Sequence, residues 1–199
     1  MDFYFDFASP YGYFASEKIE ALAARYGRVI RWRPILLFAV LRAHGLAGPM
    51  EHPLKRAYML ADFERSAKFL GVQYRAPASF PIVTQHAARA FYLIEQAAPD
   101  LAVPFAHAVL RAYWRESRDI ASPAAVAAIV SDMTPALGAA EDVLAQLQGD
   151  VAKGLLTEAI NRAVAAGVFG SPFFMLDGEP FFGADRLPQL EVRMAGSPR

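Results

Sequence analysis

The sequence predicts an α/β fold in which the strand-forming segments lie near the two ends of the chain and an all-helical block separates them. Three observations carry this. Residues Asp2 to Phe7 alternate as Asp-Phe-Tyr-Phe-Asp-Phe, the period-two pattern of a strand. Phe-rich runs flank Asp177-Gly178, a pair that favours the positive φ angles of a two-residue hairpin. From Pro53 onward, apolar residues recur at helical spacing over roughly a hundred residues.

The elements follow in order. After the first strand, Tyr11 to Tyr26 ("YGYFASEKIEALAARY") carries apolar residues at helical spacing, and Gly27 follows as a stop. Arg28 to Leu36 ("RVIRWRPIL") reads as a second strand, and the order strand, helix, strand favours a parallel βαβ unit. Five segments then read as amphipathic or buried helices: "PLKRAYMLADFERSAKFLG", "TQHAARAFYLIEQAA", "LAVPFAHAVLRAYWRES", "SPAAVAAIVSDM" and "EDVLAQLQGDVAKGLLTEAINRAVAAG". Breaks are expected at Gly71, Pro99, Ser122-Pro123 and Pro135; Pro104 either lies in an early turn or shifts its helix start. "SPFFMLDGEPFFG" returns to strand chemistry, and "DRLPQLEVRM" gives a short last helix. The arrangement βαβ, helical block, ββα is that of a thioredoxin-like fold with a large all-helical insertion. Residues 1–45 and 165–199 are expected to form the thioredoxin-like domain and 46–164 the insertion. Residues 2–36 and 168–187 should share one four-stranded sheet, with the helices packed against it as a separate lobe.

Composition narrows the function. The 199 residues are 55% hydrophobic and 20% charged, which fits a soluble globular protein. Lys+Arg and Asp+Glu both number 20, so the basic excess of a nucleic-acid binder is missing. No apolar run approaches the ~20 residues of a membrane span. "MDFYFDF" has neither a basic n-region nor a cleavage site, so a cytoplasmic protein is expected. There is no cysteine, which excludes disulfides, thiolate metal ligation and protein-borne thiol chemistry. His44, His52, His86 and His107 show no metal-ligand spacing and are expected to be structural or exposed, with no metal site.

Ser9, at the junction of first strand and first helix, has two readings. Serine is a preferred N-cap and Pro10 suits the first helical position, so Ser9 can simply begin a helix, although Gly12 leaves it without a capping-box glutamate. A helix N-terminus after the first strand of a βαβ unit also stabilises an anion, and in thioredoxin-like proteins it lowers the pKa of a reactive cysteine. Because this position holds serine in a cysteine-free chain, any thiolate here must arrive on a small molecule, with glutathione the obvious candidate.

"FDFASPYGY", "KRAYMLADFERSAKFLG" and "GVFGSPFFMLDGEPFFGADRL" together resemble the 2-hydroxychromene-2-carboxylate isomerases, relatives of the kappa-class glutathione transferases. The likeness runs in the same order from Phe3 to Leu187. It implies a dimeric, glutathione-dependent enzyme that isomerises 2-hydroxychromene-2-carboxylate to trans-o-hydroxybenzylidenepyruvate in aromatic-hydrocarbon catabolism. By that resemblance, Ser9 is the catalytic serine that hydrogen-bonds the glutathione sulfur. Ser171 precedes Pro172, which matches a cis-proline, and its backbone pairs with the cysteinyl part of glutathione like an added strand. Asp185 receives the γ-glutamyl ammonium, and Lys55 holds a glutathione carboxylate. The chain departs from the pattern at "GPMEHP", where the family often has asparagine near Gly48-Pro49, and at Ala184, where a polar residue is usual.

Each residue also has an ordinary reading: Lys55 a solvated helix residue, Asp185 a cap of the last helix, Pro172 a trans proline at a strand start, Asp62 and Arg65 a surface pair. The expected substrate is a small aromatic or enone molecule. A kappa-like glutathione transferase and a non-catalytic thioredoxin-fold binding protein stand as alternatives.

Overall fold

A computed structural model describes residues 1–196. Strand β1 (Asp2–Phe5) pairs in parallel with β2 (Arg31–Pro34) and antiparallel with β3 (Phe173–Leu176), which pairs antiparallel with β4 (Glu179–Phe182). The result is one four-stranded sheet, order β2-β1-β3-β4, drawn from both ends of the chain as expected. Helix α1 (Pro10–Arg25) makes the parallel crossover from β1 to β2. Between β3 and β4, Asp177 and Gly178 adopt φ of 52° and 84°, the two positive values that the sequence pair anticipates.

Alternation sorts β1 between two faces. Phe3 and Phe5 point to the larger core, where Phe3 stacks on Phe174 (5.3 Å between centroids) and meets Trp32 edge-on at 5.1 Å. Tyr4 points the other way, with Phe173, into a smaller cluster closed by Val40 of α2 (Leu37–Ala43) and Ala163 of α8 (Asp150–Ala165). The rest of the helical block is α3 (Pro53–Leu70), α4 (Gln85–Ala97), α5 (Pro99–Trp114), α6 (Pro123–Met133) and α7 (Ala140–Gln148), and α9 (Leu187–Ala195) closes the fold. The larger core runs unbroken from Phe3 and Phe14 to Phe91, Phe105 and Trp114 of the block. The Trp114 indole donates to the Phe7 carbonyl at 2.8 Å, fastening α5 to the end of β1.

Three details differ from the sequence reading. The second strand is only Arg31–Pro34, and the following residues form α2, a helix the apolar run "PILLFAVL" did not announce. The segment from Glu141 to Gly167 is two helices, because Gly149 takes an extended conformation (φ −72°, ψ 166°) that ends α7 and begins α8. Pro104 is inside α5, whose start at Pro99 is unmoved. Among the described residues, no helix is long and apolar enough to cross a membrane, and no cluster of acidic and histidine side chains is placed to hold a metal ion.

Candidate active site

β1 ends against α1, and Ser9 sits at that junction with only 6% of its surface exposed. Its φ and ψ of −96° and 113° are those of an N-cap, and its Oγ accepts from the Gly12 N–H at 3.0 Å. The same hydroxyl donates to the Ser171 carbonyl at 2.9 Å. Pro10 has no N–H and Gly12 donates to Ser9, so Tyr11 carries the first α1 N–H without a hydrogen-bond partner among the described residues. Glycine at position 12 permits this closeness: a Cβ there would lie 3.1 Å from both Ser9 Cβ and Ser171 Oγ.

The Ser171–Pro172 peptide is cis. Ser171 turns its Oγ to accept from the Asp6 N–H at 2.9 Å and its carbonyl towards Ser9, while its own N–H has no partner among the described residues. Pro172 is buried behind it.

Asp6 was not singled out by the sequence reading, yet it organises the floor. Its carboxylate accepts from the Ala8 N–H (2.9 Å), the Thr84 hydroxyl (2.7 Å) and the Leu37 N–H (2.7 Å). It thereby supplies the side-chain acceptor that α2 lacks at its own start and holds Thr84 at the beginning of α4. Burial pushes the Asp6 carboxyl above its ordinary pKa, while these three donors pull against the shift.

Above this floor opens a cavity of about 830 Å³ between the sheet end, α2, α3 and the segment after β4. Ser9, Lys55, Ser171 and Asp185 all line it. Lys55 is exposed on the first turns of α3, and no ion pair engages it among the described residues. Asp185 is exposed too, with its carboxylate 3.4 Å from Arg186, and it makes no cap to the last helix. Its approach to the cavity depends on Gly183 (φ 106°), where a Cβ would collide with the Asp185 carboxylate. Ala184 is buried, and Pro49 lines the cavity mouth.

The Asp62–Arg65 pair forms at 2.6 Å, but only Arg65 is a surface residue. Asp62 is largely buried, lines the cavity and also accepts from the Tyr11 hydroxyl (2.6 Å) and Ser66 (2.9 Å). These contacts, Tyr11 first, hold its carboxyl below the usual range. Spacing along α3 hints at Ser66; nothing local hints at Tyr11, 51 residues away. The histidines lie outside the cavity lining: His44 bonds the Val168 carbonyl at 3.0 Å, and His107 bonds Glu20 at 2.6 Å.

Residues 1–195 match the family of the DSBA-like thioredoxin domain. A protein of Sphingobium xenophagum named 2-hydroxychromene-2-carboxylate isomerase is 34% identical over 96% of this chain and 95% of its own. A Caenorhabditis elegans protein named glutathione S-transferase kappa 2 is 27% identical, covering 96% of this chain and 89% of its own. The solved structure of a 2-hydroxychromene-2-carboxylate isomerase superposes with a TM-score of 0.84 at 30% identity, over 98% of this chain and 93% of the other. A serine-headed helix in a cysteine-free thioredoxin frame, matched along its whole length by these relatives, settles the assignment: the chain belongs to the 2-hydroxychromene-2-carboxylate isomerase family, built on a DSBA-like thioredoxin domain.

Proposed function

We propose that this chain is a glutathione-dependent isomerase, converting a 2-hydroxychromene-2-carboxylate-type substrate to its trans-o-hydroxybenzylidenepyruvate form. It would act as a cytoplasmic homodimer in aromatic-hydrocarbon breakdown. The observation that carries the reading is the Ser9 hydroxyl at the N-terminus of α1, on the floor of an open cavity, in a chain with no cysteine. The names of the isomerase and kappa relatives support the same chemistry.

The residues present fit glutathione. The unpartnered Ser171 N–H offers a tripeptide the start of strand-like pairing. Asp185 and Lys55 place one carboxylate and one ammonium on the lining for the charged ends. The cavity, about 830 Å³, falls among small-molecule sites of ~300–1,000 Å³. When bound, glutathione supplies a thiolate that adds reversibly to a conjugated carbon and frees the neighbouring bond to rotate.

The chain's own part is to hold that charge. Ser9 has one proton to donate, and without ligand it goes to the Ser171 carbonyl. Donation to sulfur therefore requires the hydroxyl to turn, which leaves the Ser171 carbonyl open to a ligand N–H. The Tyr11 N–H and the helix dipole add to the same field. A hydrogen bond to a charged partner contributes ~1.5–3 kcal/mol, or roughly one to two pKa units at 1.36 kcal/mol each.

Titrating the thiolate absorbance of the complex tests this. The bound thiol should titrate about one to two units below the ordinary ~8.5 of a free cysteine thiol, and Ser9→Ala should cancel most of that shift. An unchanged thiol pKa in Ser9→Ala leaves Ser9 a cap and removes the mechanism. The kappa relative favours one second reading, a transferase that leaves glutathione on its product. Recovering all the glutathione free after turnover excludes it.

A further inference from the structure

Beside the Ser9 floor, the cavity lining includes the apolar Pro10, Phe63, Phe69, Phe80 and Ile82, and a hydrogen-bonded Tyr11–Asp62 pair is set among them. Tyr11 donates its only hydroxyl proton to Asp62 at 2.6 Å. Asp62 is held ionised by Arg65 at 2.6 Å and Ser66 at 2.9 Å as well. The Tyr11 ring is fixed edge-on between Phe14 and Phe63, with centroids 6.1 and 5.4 Å away. No donor among the described residues reaches the Tyr11 oxygen, so it retains acceptor capacity and has no proton left to give.

We infer that Tyr11 is a specificity-determining residue: with its proton committed to Asp62, its oxygen accepts a hydrogen bond from a hydroxyl on the substrate. The inference rests on the isomerase reading for the substrate's presence in this cavity, and it narrows the class to small aromatic molecules with a hydroxyl donor. A ring carrying a hydroxyl satisfies the acceptor, whereas the same ring without one strips water from it and gives nothing back. Burial and the Asp62 carboxylate both push the Tyr11 phenol above its ordinary pKa, which keeps the proton in place across the working range.

The test is ligand binding, independent of turnover. Trans-2-hydroxycinnamate and trans-cinnamate are titrated against the glutathione-saturated protein by calorimetry. The wild type should bind the hydroxy compound about tenfold more tightly, the effect of one ordinary hydrogen bond. Tyr11→Phe, which keeps the ring, should bind the two within about twofold. In Asp62→Asn the amide oxygen stays with Arg65 and the NH₂ donates to Tyr11, which frees the phenol proton. Tyr11 then turns from acceptor to donor, and trans-2-methoxycinnamate, which can only accept, should bind within about twofold of the hydroxy compound. Equal affinities in the wild type, no binding of the hydroxy compound, or a preference that survives Tyr11→Phe each overturn the inference. The thiolate titration separates the two proposals. Ser9 is untouched in both variants, so the bound thiol should keep its lowered pKa, and a wild type without that shift fails the isomerase reading alone.

Discussion

On the floor of the cavity, Asp6, Ser9 and Ser171 are 6%, 6% and 7% exposed, and each is bonded to another across a long stretch of chain. On the outer wall, α3 buries only Phe63 and Ala67, while Phe69 is 89% exposed and Lys55 projects without an ion pair among the described residues. The floor is thus fixed by backbone and short hydrogen bonds before any ligand arrives. The exposed side chains of α3 must be ordered on binding, at about 0.5–1.5 kcal/mol for each rotamer-rich one. Chemistry that depends on position within tenths of an ångström belongs to the floor. Selection among ligands, where a modest loss of order is tolerable, falls to the wall.

The largest effect should come from the floor's hub. Asp6→Ala leaves the buried Thr84 hydroxyl and the part-buried Ala8 and Leu37 N–H groups without their acceptor. At ~1–3 kcal/mol for each unsatisfied group, chemical denaturation should show a loss of about 3 kcal/mol or more. A loss under 1 kcal/mol would mean the floor is not rigidly held. Next is Gly183→Ala, which forces a side chain into φ 106° and onto the Asp185 carboxylate. It should cost ~1–3 kcal/mol and weaken glutathione binding.

Behind the floor, α1 is clasped to α5 by Glu17, Glu20, His107 and Arg111, and here the comparison becomes one of pH. Arg111 bonds Glu17 at 2.8 Å; His107 bonds Glu20 at 2.6 Å, with Nδ1 3.6 Å from Glu17, an electrostatic contact and not a hydrogen bond. Burial opposes the charge on Glu17, but His107 and Arg111 outweigh it and bring the carboxyl down to about 2. That stabilisation is present above the unfolded value of 4.5 and is lost as pH falls towards 2. Burial likewise opposes the charge on His107, and Glu17 and Glu20 outweigh it, so its folded pKa is raised. Its contribution is complete below the unfolded value of 6.5 and is lost as pH rises through the folded one. The clasp is therefore strongest between about pH 4.5 and 6.5. Glu17→Gln should lower the melting temperature by an amount worth on the order of 1 kcal/mol in that window and by less at pH 3. A pH-independent loss would contradict the assignment. The smallest effect belongs to the wall: Phe69→Ser should change stability by no more than ~0.5 kcal/mol while weakening binding of an aromatic ligand.

What the sequence reveals and what it conceals divide along the same line. The alternation of Asp2 to Phe7, the Ser9-Pro10 helix start and the Asp177-Gly178 turn are local signals, and each corresponds to an observed element. Helix α2 was missed because the acceptor at its start comes from Asp6, 31 residues earlier, and its apolar run suits strand and helix alike. Asp6 itself reads as one polar residue of an alternating strand, and its importance lies in two donors from distant segments, Leu37 and Thr84, beside the nearby Ala8. Asp62 reads as half of a surface pair because its partner Arg65 is near in sequence and Tyr11 is not.

The bonds Ser9–Ser171 and Asp6–Ser171 join residues 162 and 165 apart, and β1 lacks its inner neighbour until β3 arrives. Helices α4 to α8, by contrast, pack on one another, with α4 on α5 and α6 on α7 as the strongest neighbouring pairs. Closing so long a loop is slow, while local helical contacts form early. On the ribosome, the insertion can assemble while the serine's partner is still unmade, so almost the whole chain must be synthesised before the Ser9–Ser171 floor exists. In refolding, far-ultraviolet helicity should return before the near-ultraviolet signal of the Phe3–Trp32–Phe174 stack. The protein becomes able to bind its ligand last, at the moment its two distant ends meet.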